Sequence, residues 1–113
     1  MAQPIPFPGQ PVRGSMTGRP VMALFDLLGR AWAMGVVWQL HEGRCTFREL
    51  QSRCDGVSPS VLNQRLKELR ATGLVGHDGA GFALTPLGEE LFDHLDALGT
   101  WSKHWAAEIT RPC

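Results

Sequence analysis

Four polar residues in the segment 58–72 have the chemistry and spacing needed to hydrogen-bond the edges of base pairs. At 100° per residue from Leu62, which begins an apolar stripe, the outward side of a helix here carries two amides, a hydroxyl and a cation. A side-chain amide donates and accepts together, so asparagine or glutamine can pair with adenine through two hydrogen bonds. We therefore predict that this helix reads double-stranded DNA. The predicted base-reading residues are Ser60, Asn63, Gln64 and Lys67.

Local signals predict the helix that holds these residues and a second helix before it. Ser58 followed by Pro59 is a strong helix start, because the hydroxyl can cap a free amide and proline suits the first helical position. Thr46 and Glu49 have the spacing of a capping box at the start of the earlier helix. Gly56 suits the turn between the two helices. The residues predicted to contact phosphates or to position the domain are Thr46, Arg48, Ser58 and Arg65.

A short hairpin is predicted directly after the second helix. Gly73 ends that helix, Leu74 and Val75 begin a strand, and a turn within 77–81 leads into a second strand. The fold class is therefore mainly α with a small two- to three-stranded β wing, a winged helix-turn-helix. The short turn carries no arginine, so little contact with the minor groove is expected. The predicted wing residues are His77, Gly79 and Ala80.

A series of short motifs is spread over about residues 20–105. They are Gly29-Arg30-Ala31-Trp32, GRCTFREL at 43–50, Gly56-Val57-Ser58, LNQRLKEL at 62–69, Gly73-Leu74-Val75 and LTPLG at 84–88, with Trp101 as a late aromatic. Taken together, they resemble the HxlR family of bacterial winged-helix regulators, which are related to the MarR group. The resemblance implies a homodimeric, sequence-specific transcription factor, often a repressor, in the bacterial cytoplasm. Arg30 stands where the family has lysine, a change for which the sequence predicts no consequence.

A long apolar helix is predicted over 86–108, and we interpret it, with helix 20–28, as a dimer interface. Its leucines and tryptophans fall within about 120° of one another, while Phe92 points to the opposite side and would be exposed on a monomer. A two-fold dimer would present two reading helices about one DNA turn apart to a palindromic site. Packing of the helix onto its own core alone is the alternative. The predicted interface residues are Leu24, Leu87, Leu91, Phe92, His94, Leu95, Leu98, Trp101 and Trp105.

The chain has 113 residues, which predicts one domain with a modest core. We divide it into a flexible Pro/Gly-rich arm at 1–19, a winged-helix domain with its dimerisation helices at 20–108, and a tail at 109–113. A helix is expected over 30–42, with Trp32, Val36 and Leu40 on its buried stripe. No apolar run is long enough to span a bilayer and the first residues lack the plan of a signal peptide, so a cytoplasmic protein is expected.

Charge is unevenly distributed although the formal net charge is zero. Residues 44–72 carry six basic and three acidic side chains, a local charge of +3, whereas residues 86–113 carry two basic and five acidic ones, a local charge of −3. A basic DNA-reading segment on an acidic scaffold is what phosphate binding needs.

Other chemistries have weaker signals. Cys54 falls on an apolar stripe and is predicted to be a core residue, while Cys45 beside Arg44 is the better candidate for a reactive thiol, since a cation favours the thiolate. His94 and His104 do not share a helix face, so no metal site is expected. No cofactor motif or catalytic set is recognisable, and an enzyme is not expected.

Two alternatives stay open at this point. A winged helix can serve protein association instead of DNA binding, although aromatic anchors are typical at the centre of such interfaces and the polar face at 60–67 has none. A regulator of the same fold can also sense a metal or a small-molecule effector. A hydrophobic cleft between the N- and C-terminal helices could hold such an effector.

Overall fold

The structure is a computed structural model and describes residues 4–112. The first three residues of the predicted arm and Cys113 of the predicted tail lie outside this range. Five helices and one hairpin follow each other along the chain. They are α1 (Pro20–Leu28), α2 (Ala33–His41), α3 (Phe47–Arg53), α4 (Pro59–Ala71), β1 (Val75–Asp78), β2 (Gly81–Leu84) and α5 (Pro86–Ile109).

The two helices of the predicted helix-turn-helix begin at the caps that the sequence indicates. The Thr46 hydroxyl accepts the Glu49 amide at 3.2 Å, and the Glu49 carboxylate accepts the Thr46 amide at 2.8 Å, which completes the capping box. The Ser58 hydroxyl accepts the Val61 amide at 3.3 Å at the start of α4. Gly56, with φ +72°, turns the chain between them. The predicted winged helix-turn-helix is confirmed.

The wing is a two-stranded antiparallel sheet with a single bridge to a third segment. Val75 pairs with Leu84, and the register continues to Asp78 opposite Gly81. Cys45, just before α3, adds the bridge: its amide donates to the Phe82 carbonyl at 3.1 Å and its carbonyl accepts the Phe82 amide at 2.8 Å. The hairpin is thereby fixed against the chain that leads into α3.

The core is mainly aliphatic and joins all five helices to β1. It includes the stripe predicted on α4, and Cys54 lies in it as expected. The α4 residues of the core are Leu62, Leu66 and Leu69. Among residues 4–112 no single helix could cross a membrane by length and composition. Helices α1 and α2 reach that length only together, with an 87° bend between them.

Three charged side chains are buried beside this core, which no pattern in the sequence predicts. Arg30 donates to Glu68 at 2.7 Å and lies 3.5 Å from Asp26, and each of these side chains is at most 4% exposed. The second terminal nitrogen of Arg30 donates to the Pro4 carbonyl at 2.8 Å. The planar guanidinium has three nitrogens and reaches three groups at once, whereas a lysine would offer a single charged nitrogen. Arginine at this position therefore has a structural consequence.

Helix α2 begins later than predicted, and Trp32 is not on its buried stripe. Trp32 has φ +70° and precedes the first helical residue, Ala33, while Val36 and Leu40 are buried as expected. The turn directly follows Arg30, whose side chain enters the interior between α1 and α4. The Trp32 ring is left 40% exposed.

The face that helix α5 packs against the core includes Phe92, which the sequence predicted to be exposed. Phe92, expected to be exposed, is only 6% exposed; its ring stacks on His41 at 3.6 Å between centroids and meets Trp38 edge-on at 4.9 Å. Helix α2 lies across this side of α5, so the buried stripe is Gly88, Phe92 and Leu95. The expectation that Phe92 marks an outer interface is wrong.

Residues 4–19 lie against α1 instead of leaving the domain. The Arg13 amide donates to Asp26 at 3.2 Å, and its guanidinium lies 3.4 Å from the same carboxylate. Together with the bond from Arg30 to Pro4, these contacts hold the arm at two points. The flexibility that the sequence predicts for this arm stays a prediction.

Gly81 provides a test of how the wing is fixed. A Cβ added there would meet the Cys45 carbonyl oxygen at 2.5 Å, and φ is +125°, a conformation that only glycine adopts readily. We expect Gly81→Ala to lower the free energy of unfolding by about 2 kcal/mol, measured by urea denaturation. Gly79→Ala is the matched control, because a Cβ there meets nothing within 4 Å. Equal stability of the two variants would contradict this account of the wing.

Candidate nucleic-acid interface

The exposed side of α4 is the surface that the sequence predicted as the DNA-reading face. Ser60, Asn63 and Lys67 are exposed on it, in register with the helix start that Ser58 and Pro59 define. Their hydroxyl, amide and ammonium groups can hydrogen-bond base edges or phosphates. Three of the four predicted base-reading residues therefore share one accessible face.

Gln64, the fourth predicted base-reading residue, is engaged with its own helix. Its amide nitrogen donates to the Glu68 carboxylate at 3.0 Å, and the residue is half-buried. One amide hydrogen and the amide oxygen are left for a further partner. Gln64 thus lies at the edge of the exposed face, and its hydrogen bond to Glu68 sets the orientation of its amide.

Arg65, predicted to contact phosphate, is turned towards the protein. It donates to the Ala31 carbonyl at 2.8 Å and to the second oxygen of Glu68 at 2.8 Å, and its side chain is 16% exposed. These contacts occupy the guanidinium on the side of α4 that faces the α1–α2 turn. A phosphate role for Arg65 would require it to leave them.

The Glu68 carboxylate accepts hydrogen bonds from Arg30, Gln64 and Arg65, and it stays ionised at neutral pH. Burial raises its pKa, but the hydrogen bonds from Gln64 and Arg30 and the nearby charge of Arg65 outweigh burial, so the pKa lies below its usual 4.5. The carboxylate is 1% exposed, so it cannot itself contact DNA in this conformation.

A groove of about 660 Å³ separates α4 from the wing, and basic side chains line it. Lys67 and Arg70 enter it from α4, with Asn63 nearer the start of the helix, and His77 and Phe82 form the opposite wall. Arg70 was not among the predicted contact residues, although its spacing from Asn63 and Lys67, seven and three residues, places all three on one side of a helix. Two cations and a histidine suit a phosphate backbone that runs between the helix and the wing.

The wing itself is compact and its charges are paired. Arg44 donates to Asp78 at 2.7 Å, and Asp78 also accepts the Ala80 amide at 2.8 Å across the turn. These bonds, the backbone one first and then the charge of Arg44, hold the pKa of Asp78 below its usual range. The His77 ring stacks on Phe82 with centroids 4.2 Å apart. Gly79 and Ala80 are exposed at the tip.

The residues predicted to contact phosphate from the start of α3 and α4 lie at the surface. Arg48 is exposed in the first turn of α3. The hydroxyls of Thr46 and Ser58 accept backbone amides as caps. The Thr46 hydroxyl keeps its own hydrogen for a further acceptor, whereas the Ser58 hydroxyl also lies 3.5 Å from that of Ser60. The backbone bond from Thr46 lowers the pKa of Glu49, which keeps this cap ionised.

Cys45 does not have the environment of a reactive thiol. It is 1% exposed, and burial raises the pKa of its thiol, against the opposing effect of Arg53. The neighbouring cation, Arg44, is paired with Asp78 instead. Cys45 therefore lacks the exposure and the lowered pKa that a reactive thiol needs, and burial likewise raises the pKa of the Cys54 thiol.

The residues predicted for a dimer interface divide into two groups. Leu24 and Leu91 are half-buried against the core, and Phe92 and Leu95 are buried in it. The rest of the set is exposed on α5: Leu87, His94, Leu98, Trp101 and Trp105.

Within the described range, no group of three histidine, cysteine, aspartate or glutamate side chains could hold a metal ion.

Comparison with known proteins gives the same picture. The HxlR-like helix-turn-helix family model matches residues 27–110. YvaP of Bacillus subtilis, an uncharacterized HTH-type transcriptional regulator, is 31% identical over 87 residues, 71% of this chain and 81% of YvaP. An uncharacterized HTH-type transcriptional regulator of Methanocaldococcus jannaschii is 28% identical over 88 residues, 74% of this chain and 83% of its own.

Among solved structures, quinone-bound YodB from B. subtilis has a similar fold. Its TM-score is 0.70 at 26% identity, over 74% of this chain and 96% of YodB. The matched curated relatives are transcriptional regulators, a class that is generally not enzymatic. The chain therefore belongs to the HxlR-like helix-turn-helix family and is a winged-helix transcriptional regulator of that type.

Proposed function

We propose that the protein is a homodimeric repressor that binds a palindromic DNA operator in the cytoplasm through α4. The observation that carries the proposal is the exposed polar face of α4 beside a basic groove. Asn63 and Ser60 supply hydrogen-bonding groups near the start of the helix, the part that enters the major groove in known helix-turn-helix docking. Repression by occupancy of the operator is the sign of regulation that the family resemblance implies.

In the proposal, residues that bind DNA phosphates lie beside the reading face of α4. Lys67 and Arg70 hold the strand that runs along the groove between α4 and the wing, and Arg48 holds phosphates beside α3. His77 reaches the same strand from the wing. Gly79 and Ala80 have no cation to insert into a minor groove, so α4 supplies most of the sequence discrimination.

Selection of bound duplexes from a random pool, followed by sequencing, tests the proposal directly. We expect enriched inverted repeats whose half-sites lie about one helical turn, roughly 10 base pairs, apart. Enrichment of a single half-site without a repeat would contradict the two-fold arrangement. Failure to bind any duplex at low salt would contradict DNA binding and favour a protein partner for this face.

A separate prediction distinguishes base readout from phosphate binding. Asn63→Ala should weaken binding to the selected operator by about 1–3 kcal/mol and leave binding to random duplex unchanged. Lys67→Ala is the comparison: it should weaken both complexes and reduce the slope of log K against log salt by about one. Both side chains are exposed, so thermal unfolding should be unaffected. An unchanged specificity ratio in Asn63→Ala would remove Asn63 from the readout.

The proposed dimer interface is the apolar face of α5 that the core leaves uncovered. Leu98, Trp101, Trp105 and Ile109 are each about half exposed or more, and the two indoles stack with centroids 6.3 Å apart. A continuous apolar surface of this kind is typical of a protein–protein interface. An apolar hollow of about 200 Å³ between α2 and α5 adjoins this face, and Trp38 and Leu98 line it. We place the small-molecule effector there.

Sedimentation tests the interface. The wild type should be a dimer at micromolar concentration, and Trp101→Asp should be a folded monomer, because it places a charge on the uncovered face and not in the core. Lys103→Asp is the control, since residue 103 lies about 200° around the helix from Trp101. A monomeric wild type, or a dimeric Trp101→Asp variant, would contradict this interface.

A further inference from the structure

The carboxylate of Glu68 lies at the centre of a network beneath the reading face of α4. One oxygen accepts from Arg30 at 2.7 Å and from Gln64 at 3.0 Å; the other accepts from Arg65 at 2.8 Å. Its side chain is 1% exposed. Glu68 therefore holds three side chains from a position that DNA cannot reach.

Arg30 also holds the Glu68 carboxylate, and it does so from outside α4. The guanidinium is 4% exposed, lies 3.5 Å from Asp26 and donates to the Pro4 carbonyl at 2.8 Å. The Arg30 position is thus set by α1 and by the residues that precede it. Since Arg30 is not part of α4, Glu68 is held by the body of the domain and not only by its own helix.

The contact with Glu68 decides how Gln64 meets a base. A glutamine side chain has three rotatable bonds, and free rotation would make binding less favourable by about 0.5–1.5 kcal/mol. The Glu68 carboxylate takes one amide hydrogen of Gln64, which leaves the amide oxygen and the second hydrogen for another partner. Oxygen and hydrogen together are what glutamine uses to pair with adenine.

We propose that Glu68 is a positioning residue for base readout: it holds the Gln64 amide ready for a base edge before DNA binds. The inference rests on the proposed function. Arg65 supports the arrangement, because it occupies the other oxygen and keeps the carboxylate from rotating. A merely structural ion pair would affect stability and all DNA binding alike, whereas a positioning residue affects specificity through Gln64.

A double-mutant cycle separates these roles. The four proteins are the wild type, Gln64→Ala, Glu68→Gln and the double variant, and the quantity measured is the ratio of Kd for random duplex to Kd for the selected operator. Gln64→Ala should lower this ratio about tenfold, the effect of one lost base contact. Glu68→Gln should lower it by a similar factor, because a neutral amide cannot accept from Arg30, Gln64 and Arg65 together. The double variant should be no lower than Gln64→Ala.

Two results of the cycle would overturn the proposal. One is an unchanged ratio in Glu68→Gln, and the other is a loss in the double variant equal to the product of the two single losses. A chain that selects no duplex contradicts the proposed function and overturns this inference with it. If a duplex is selected and the two substitutions change the Kd ratio independently, only the role of Glu68 is overturned and the proposed function stands.

Glu68→Gln leaves the buried Arg30 without its counter-charge, so a second measurement uses the wild type alone. Exchange of the Gln64 side-chain amide hydrogen that is bonded to Glu68, measured by NMR, should be about tenfold slower than exchange of the Asn63 side-chain amide, which is exposed on the same helix. The Gln64→Ala and Asn63→Ala spectra assign the two resonances. Equal exchange rates would show that Glu68 does not hold the amide and would overturn the proposal.

Discussion

The guanidinium of Arg30 enters an otherwise largely aliphatic interior, and the rest of the domain is arranged around its charge. Removing such a group from water costs several kcal/mol, which only close opposite charges and hydrogen bonds offset. Glu68 and Asp26 supply the charges, and Glu68 and the Pro4 carbonyl accept hydrogen bonds from the two terminal nitrogens, while Nε faces Asp26 at 3.5 Å without a hydrogen bond. This requirement ties together three separate parts of the chain: the arm, the turn after α1, and the middle of α4.

The same carboxylate divides the polar residues of α4 into two classes. Gln64 and Arg65 are hydrogen-bonded to Glu68 before any ligand arrives, whereas Asn63 and Lys67 project freely. The first class is ordered and limited in reach; the second is adaptable and loses more conformational freedom on binding. Binding surfaces that combine the two gain orientation from one and adjustment from the other.

Elements with local signals could be predicted from the sequence, and contacts over long separations could not. The Thr46 capping box, the Ser58 cap and the α4 leucine stripe depend on residues within one or two turns. The face that α5 buries depends on where α2 crosses it, which the sequence of α5 alone does not indicate, so the burial of Phe92 could not be predicted. The bond from Arg30 to Glu68 joins residues 38 positions apart, and no periodicity in the sequence indicates it.

A side chain added at Gly79 would meet nothing within 4 Å, and the strands that lead to this turn are anchored by the Cys45 bridge. Residues inserted there would disturb neither the core nor the register. Doubling the length of a loop adds only about 0.6 kcal/mol of closure entropy. The wing is therefore the part of this scaffold that evolution, or a designer, can lengthen most easily to reach further along a duplex, while the reading helix stays where the buried charges hold it.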